Sequence, residues 1–62
     1  MYRIVTHYMH DDMRSSSRYE FYSEASDYFY AMEEEGDTYG DIISIRMYDV
    51  TSNDLVREWR KE

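Results

Sequence analysis

The sequence predicts an α+β fold: a small antiparallel sheet with one helix packed on it, in the order β-β-α-β-β. Three observations carry that expectation. Residues 23–36, SEASDYFYAMEEEG, hold one helical apolar stripe; the residues on either side of them alternate with strand period; polar turn residues separate the apolar runs. A helix laid across one face of an antiparallel sheet is the simplest way to bury such stripes.

The helix comes first because the strands are organised around it. Ala25, Tyr28, Phe29 and Met32 fall at i, i+3, i+4 and i+7, on one side of a 3.6-residue repeat. Ser23 is placed to accept a hydrogen bond from an orphan amide at the start, and Glu24 and Asp27 suit the positive end of the dipole. Gly36 suits the left-handed conformation that ends many helices. Glu33, Glu34 and Glu35 crowd the negative end of the dipole.

Residues 2–10 alternate and are rich in β-formers, predicting a first strand with Ile4, Thr6 and Tyr8 on one face and Val5, His7 and Met9 on the other. Residues 11–17, DDMRSSS, read as a polar loop. Residues 18–22, RYEFY, read as a second strand with Tyr19 and Phe21 on one side, so the first two strands form an antiparallel hairpin. A connection over 37–41 carries Gly40. Residues 42–50 predict a third strand in which Ile43, Ile45 and Met47 face the helix. Thr51, Ser52, Asn53 and Asp54 form a polar turn, and residues 55–60 close the sheet with Leu55, Arg57 and Trp59 on one face. The alternative for the tail is a second short helix capped by Asp54. Apolar ends flanking TSND favour the hairpin. Lys61 and Glu62 are expected to fray.

A chain of 62 residues without repeat, linker or proline makes one domain. At this size only about 60% of the unfolded chain's surface is buried, so a supplement to the core is usual. There is no cysteine to provide disulfides or thiolate metal sites, which leaves self-association, and a homodimer is expected. Fourteen acidic residues against seven basic ones give a net charge of -7. That balance argues against direct nucleic-acid binding, which gains affinity by neutralising phosphates, and suits a partner with a basic surface. Acidity also keeps a small domain dissolved without any partner. Aromatic residues make up 18% of the chain, eight of them tyrosine, which argues against disorder and suits an interface. With no long apolar run and no signal-like core at the N-terminus, the protein is expected to be soluble and cytoplasmic, away from membranes.

Chemistry-bearing sets are few. His7, His10, Asp11 and Asp12 cluster in sequence, but an odd separation points the two histidines to opposite strand faces, and the set fits no zinc pattern. Ser15, Ser16 and Ser17 lack a recognisable base and oxyanion site. Only Gly36 and Gly40 are glycines, so there is no phosphate-cradling loop. No catalytic residue, metal or cofactor is expected.

The acidic residues carry more. Glu20, Glu24, Asp27, Glu33, Glu34, Glu35, Asp37 and Asp41 lie in or beside the helix and, with Asp11 and Asp12, form a negative rim around exposed tyrosines. Carboxylates spaced along a helix can imitate a row of phosphates and occupy a basic groove built for DNA. Tyr28, Phe29 and Met32 read first as core, whereas Tyr30 lies about 100° from Phe29 and is placed as a contact aromatic. The candidate partner-binding set is Glu20, Glu24, Asp27, Tyr28, Tyr30, Met32, Glu33, Glu34, Glu35 and Asp37.

Over residues 2–50 the layout resembles the small acidic phage uracil-DNA glycosylase inhibitors. The strings that carry the resemblance are Asp11-Asp12 after the first strand, Tyr19-Glu20-Phe21, Ser26-Asp27-Tyr28 in the helix and Ile42-Ile43 opening the third strand. The resemblance implies a dimeric DNA mimic that occupies the glycosylase's DNA groove, with Glu20 as the acidic contact and Tyr28 as the helix aromatic. Met32 stands where that family has a second aromatic, the spacing from strand two to helix differs, and the fourth strand is extra. The expected function is that of a non-enzymatic, phage-type inhibitor of a host nucleic-acid-processing or defence protein. The alternative is a self-associating assembly protein using a tyrosine-rich sheet face, and a small-molecule-binding module would need a pocket.

Overall fold

The computed structural model describes residues 1–61, the Asp11 side chain excepted. The chain runs β1 (Tyr2–Tyr8), a 3-10 turn (His10–Asp12), β2 (Arg14–Tyr19), α1 (Tyr22–Tyr39), β3 (Ile42–Asp49) and β4 (Asp54–Arg60). The strands form one sheet in the order β2-β1-β3-β4, with every neighbouring pair antiparallel. Because β2 and β3 both run opposite to β1, they are parallel to each other, and α1 links them across the strand between. The fold is therefore a two-layer α+β sandwich of one helix on one sheet.

One face of the sheet makes the core with the helix. Ile4 and Thr6 of β1 and Ile42, Ile45 and Met47 of β3 are buried against Ala25, Phe29 and Met32 of α1. Tyr2, Tyr8, Tyr19, Tyr28 and Trp59 close its margins. Burying a ring the size of Phe29 contributes about 1.5–3 kcal/mol. Thr6 Oγ1 is buried there without a hydrogen-bond partner among the described residues.

Several local expectations change. The serines of residues 11–17 are not loop: β2 begins at Arg14, with Ser15 and Ser17 half-buried on the helix side and paired with Thr6 and Ile4. The hairpin connection is therefore shorter than the polar string suggests, and β2 ends at Tyr19, with Tyr22 already in α1. The helix begins after Phe21, whose extended backbone accepts from the Ala25 amide at 3.2 Å, and no side chain caps it among the described residues. Ser23 already lies inside the first turn.

The helix also runs through Gly36 and stops at Gly40, whose φ of 71° is the left-handed stop. Gly36 is buried under the Trp59 ring of β4, where an added Cβ would meet ring carbons at 2.7, 3.0 and 3.3 Å. Close approach of two elements therefore places this glycine, at about 1 kcal/mol of helix propensity. Lys61 is tied down: its Nζ donates to the Gly40 carbonyl at 2.7 Å and its backbone amide to Ile43 at 2.9 Å. That cation offsets the carboxylates crowding the helix end. Glu62 lies outside the described residues.

Two register slips redirect side chains. Between His7 and Tyr8 the β1–β3 ladder shifts, so Tyr8 pairs with Ile42. Ile42, rather than Ile43, then joins the core, while Ile43 lines the opposite face with Ser44. Between Met47 and Tyr48 the β3–β4 ladder shifts, so Leu55 pairs with Tyr48 and leaves the face of Arg57 and Trp59. A one-residue shift in a strand reverses every side chain beyond it. The tail is strand rather than helix, joined by a turn in which Asn53 takes φ 61° and the Thr51 amide donates to Asp49 Oδ1 at 2.9 Å.

Candidate functional site

The outer surface of α1 carries carboxylates along its length and contains no Lys or Arg. Glu24, Asp27, Glu34 and Asp37 are exposed. Their spacings of three, seven and three residues keep them on one side of the helix. At 1.5 Å per residue the row is about 20 Å long. Tyr30 stands among them at 55% exposure and shares a shallow depression of about 280 Å³ with Glu33, Glu34 and Asp37. Tyr39, at 76% exposure, extends the aromatic surface toward the C-terminal end. At the other end Glu20 is exposed beside Phe21 and Tyr22, and the Tyr22 ring packs edge-on to Tyr2 at 5.5 Å.

The remaining candidates are partly or wholly buried. Glu33 is half-buried and accepts from Arg57 Nη2 at 3.3 Å. The same guanidinium lies 4.3 Å from the Tyr30 ring centre and 4.9 Å from that of Phe29, so β4 fixes the tyrosine from beneath. Glu35 is half-buried toward Tyr8, whose hydroxyl is pushed up from its ordinary ionisation by burial first, then by Tyr28, Glu35 and Asp41. Tyr28 is half-buried against Tyr19 at 5.4 Å, and Met32, at 8% exposure, is core. Tyr28 and Met32 therefore present no aromatic or apolar contact on the helix's outer side, because their stripe is the one that seals the sheet.

The sheet face away from α1 carries the opposite charge. The ladder registers place Arg18, Arg3, Tyr48 and Leu55 in one cross-strand row, Ser16, Val5, Arg46 and Glu58 in the next, and Arg14, His7, Ser44 and Arg60 in the third. Five of the seven basic residues of the chain stand in these rows, with Glu58 as their one carboxylate. Arg3, Arg14, Arg46 and Arg60 line a shallow hollow of about 320 Å³ floored by Val5 and Ile43. Arg46 Nε donates to Glu58 at 2.7 Å, and the Arg3 guanidinium sits 5.4 Å above the Tyr48 ring. Arg3 Nε is buried without a hydrogen-bond partner among the described residues.

At the edge of this face His7 Nε2 donates to the Asp12 carboxylate, and that hydrogen bond holds Asp12 below the usual carboxylate range. Sequence reasoning missed this surface. Its signal was the alternation Arg14, Ser16, Arg18 in β2 and Arg3, Val5, His7 in β1.

These features define a small α+β protein with two faces of opposite charge, one helical and one sheet. No protein-family model, curated protein or solved structure matches the chain. Among the described residues, no helix is long and apolar enough to cross a membrane.

Proposed function

We propose that the protein is a non-enzymatic binding module that docks the acidic outer side of α1 onto a basic groove of a partner protein and blocks it. The row Glu24, Asp27, Glu34 and Asp37, with Tyr30 held among it by Arg57, supports this reading above any other observation. Exposed carboxylates at helical spacing steer such a docking, and a fixed aromatic at their centre anchors it. A groove that normally holds a phosphate backbone offers the matching charge, so the partner class is a host nucleic-acid-processing or defence protein, and the mode is DNA mimicry as in the phage uracil-DNA glycosylase inhibitors.

The test compares wild-type protein with a variant in which Glu24, Glu34, Asp27 and Asp37 become Gln or Asn, used as bait in bacterial lysate at low salt. The expected result is a basic protein held by the wild type alone and released by duplex DNA. Equal retention by the neutralised bait overturns the proposal. With the captured protein purified, the four substitutions should slow association at least tenfold and change dissociation far less.

A second reading, self-association as an assembly protein or homodimer, draws on β4. This edge strand exposes Leu55 at 50% alongside Val56, and unpaired edges are templates for strand addition. A salt-resistant oligomer in sedimentation, with no partner captured, would favour it.

A further inference from the structure

We propose that the arginine face of the sheet is a binding surface for a nucleic-acid strand, held through its phosphodiester backbone. This is independent of the reading of α1, since it uses the other side of the molecule. The net charge of -7 argues against nucleic acid only if charge is spread evenly, and here it is not. The exposed carboxylates of α1 lie on the far side of a helix about 10–12 Å across, beyond the roughly 10 Å over which charge acts at 0.1 M salt. A strand approaching the sheet therefore meets arginines first.

Three observations favour a polyanion over a merely solvated face. Solvated sheet faces usually oppose unlike charges, whereas Arg3 is paired directly with Arg18. Within the chain that arrangement is unfavourable, and a bound anion reverses it. The Arg3 guanidinium is already oriented by the Tyr48 ring, and its buried Nε has no partner among the described residues. Finally, arginine alone supplies the five cations; its planar fork matches phosphate oxygens two at a time.

The dimensions suit a strand rather than a single ion. Rows lie about 6.6 Å apart along the strands, and the four strands span about 14 Å. That width spans a few successive phosphates of a single strand. Val5, Ile43 and Tyr48 floor the hollow between the guanidinium groups and give base or sugar edges an apolar seat. Ser16 and Ser44 lie in the rows beside them. Arginines engaged on phosphates carry no sequence information, so binding is sequence-tolerant.

Fluorescence anisotropy of a labelled twenty-nucleotide oligo(dT) tests this, using the full chain. Binding is expected at 50 mM salt and should weaken about twenty-fold by 200 mM, the slope for three phosphates on a single strand. The combined variant Arg14→Gln, Arg18→Gln and Arg60→Gln leaves the Arg46–Glu58 and Arg57–Glu33 pairs in place, and far-UV circular dichroism checks its fold. It should bind at least tenfold more weakly with most of the salt slope gone, while the four-residue neutralisation of α1 should bind as well as wild type or better. Absence of binding at 50 mM salt, or equal binding by the arginine variant, overturns the proposal. Full displacement by inorganic phosphate at equal phosphate concentration would replace the strand with a single-anion site. A salt-sensitive oligomer lost in both variants would show that the occupant is the acidic helix of a second copy.

Discussion

The two faces of the four-stranded sheet are made from alternate residues of the same strands, yet they are opposites. On one face Ile4, Thr6, Ile45 and Met47 are buried under Phe29 and Met32; on the other Arg3, Arg14, Arg18, Arg46 and Arg60 stand around a shallow hollow. The first face holds the fold together. The second contributes little to it and, at Arg3 and Arg18, opposes it. Alternation at period two lets so short a chain separate stability from recognition, because a substitution on one face need not touch the other.

Phe29→Ala should break this division most visibly. Truncating a buried phenylalanine costs about 3–5 kcal/mol. A 62-residue protein has roughly 3–9 kcal/mol in total at the usual stability per residue, so this variant should be largely unfolded at 25 °C by far-UV circular dichroism. The triple arginine variant, by contrast, should keep its denaturation midpoint nearly unchanged. If the arginine variant unfolds as readily as Phe29→Ala, the outer face is part of the scaffold and the two roles are not separate.

The same division explains what could be read in advance. Element order, the helical stripe through Ala25, Phe29 and Met32, and the inward turn of Ile45 and Met47 follow from periodicity, and the structure has them. Ile43 and Leu55 turn the other way because ladder slips at His7/Tyr8 and Met47/Tyr48 are set by backbone pairing, which side-chain patterns do not record. Residues 14–17 look like loop because serine is polar, yet Ser15 and Ser17 are small enough to lie against Thr6 and Ile4 near the helix.

The acidic side of the candidate site was legible, since Glu24, Asp27, Glu34 and Asp37 lie at helical spacing within one element. The arginine face was not, because its five residues come from four strands and converge only once the register is known.

Gly36→Ala probes the seam where α1 meets the edge of the sheet. Alanine gains about 1 kcal/mol of helix propensity, but its Cβ would press into the rigid Trp59 ring, and overpacking of this kind costs about 1–3 kcal/mol. A net loss of up to about 2 kcal/mol is expected in urea denaturation. Trp59 is the single tryptophan, so its emission should shift as the ring is displaced. Adding Trp59→Leu should recover the loss. A Gly36→Ala protein more stable than wild type would mean that β4 yields to the helix without cost.

The smallest expected effect has the opposite sign. Arg18 lies directly across from Arg3, and like charges so placed are destabilising by a few tenths of a kcal/mol. Arg18→Gln removes one of them, so it should raise the urea midpoint by up to about 0.5 kcal/mol equivalent at low salt. The gain should fade toward zero at 0.5 M salt, where exposed charges are screened within about 4–5 Å. Helix propensity plays no part in a strand, and neither residue forms an ion pair with a carboxylate in its row, so repulsion between the two guanidinium groups is the term being read. A change that stabilises the free protein while weakening its hold on an oligonucleotide would mark Arg18 as kept for binding at the expense of the fold. A destabilising Arg18→Gln would place the residue in the scaffold after all.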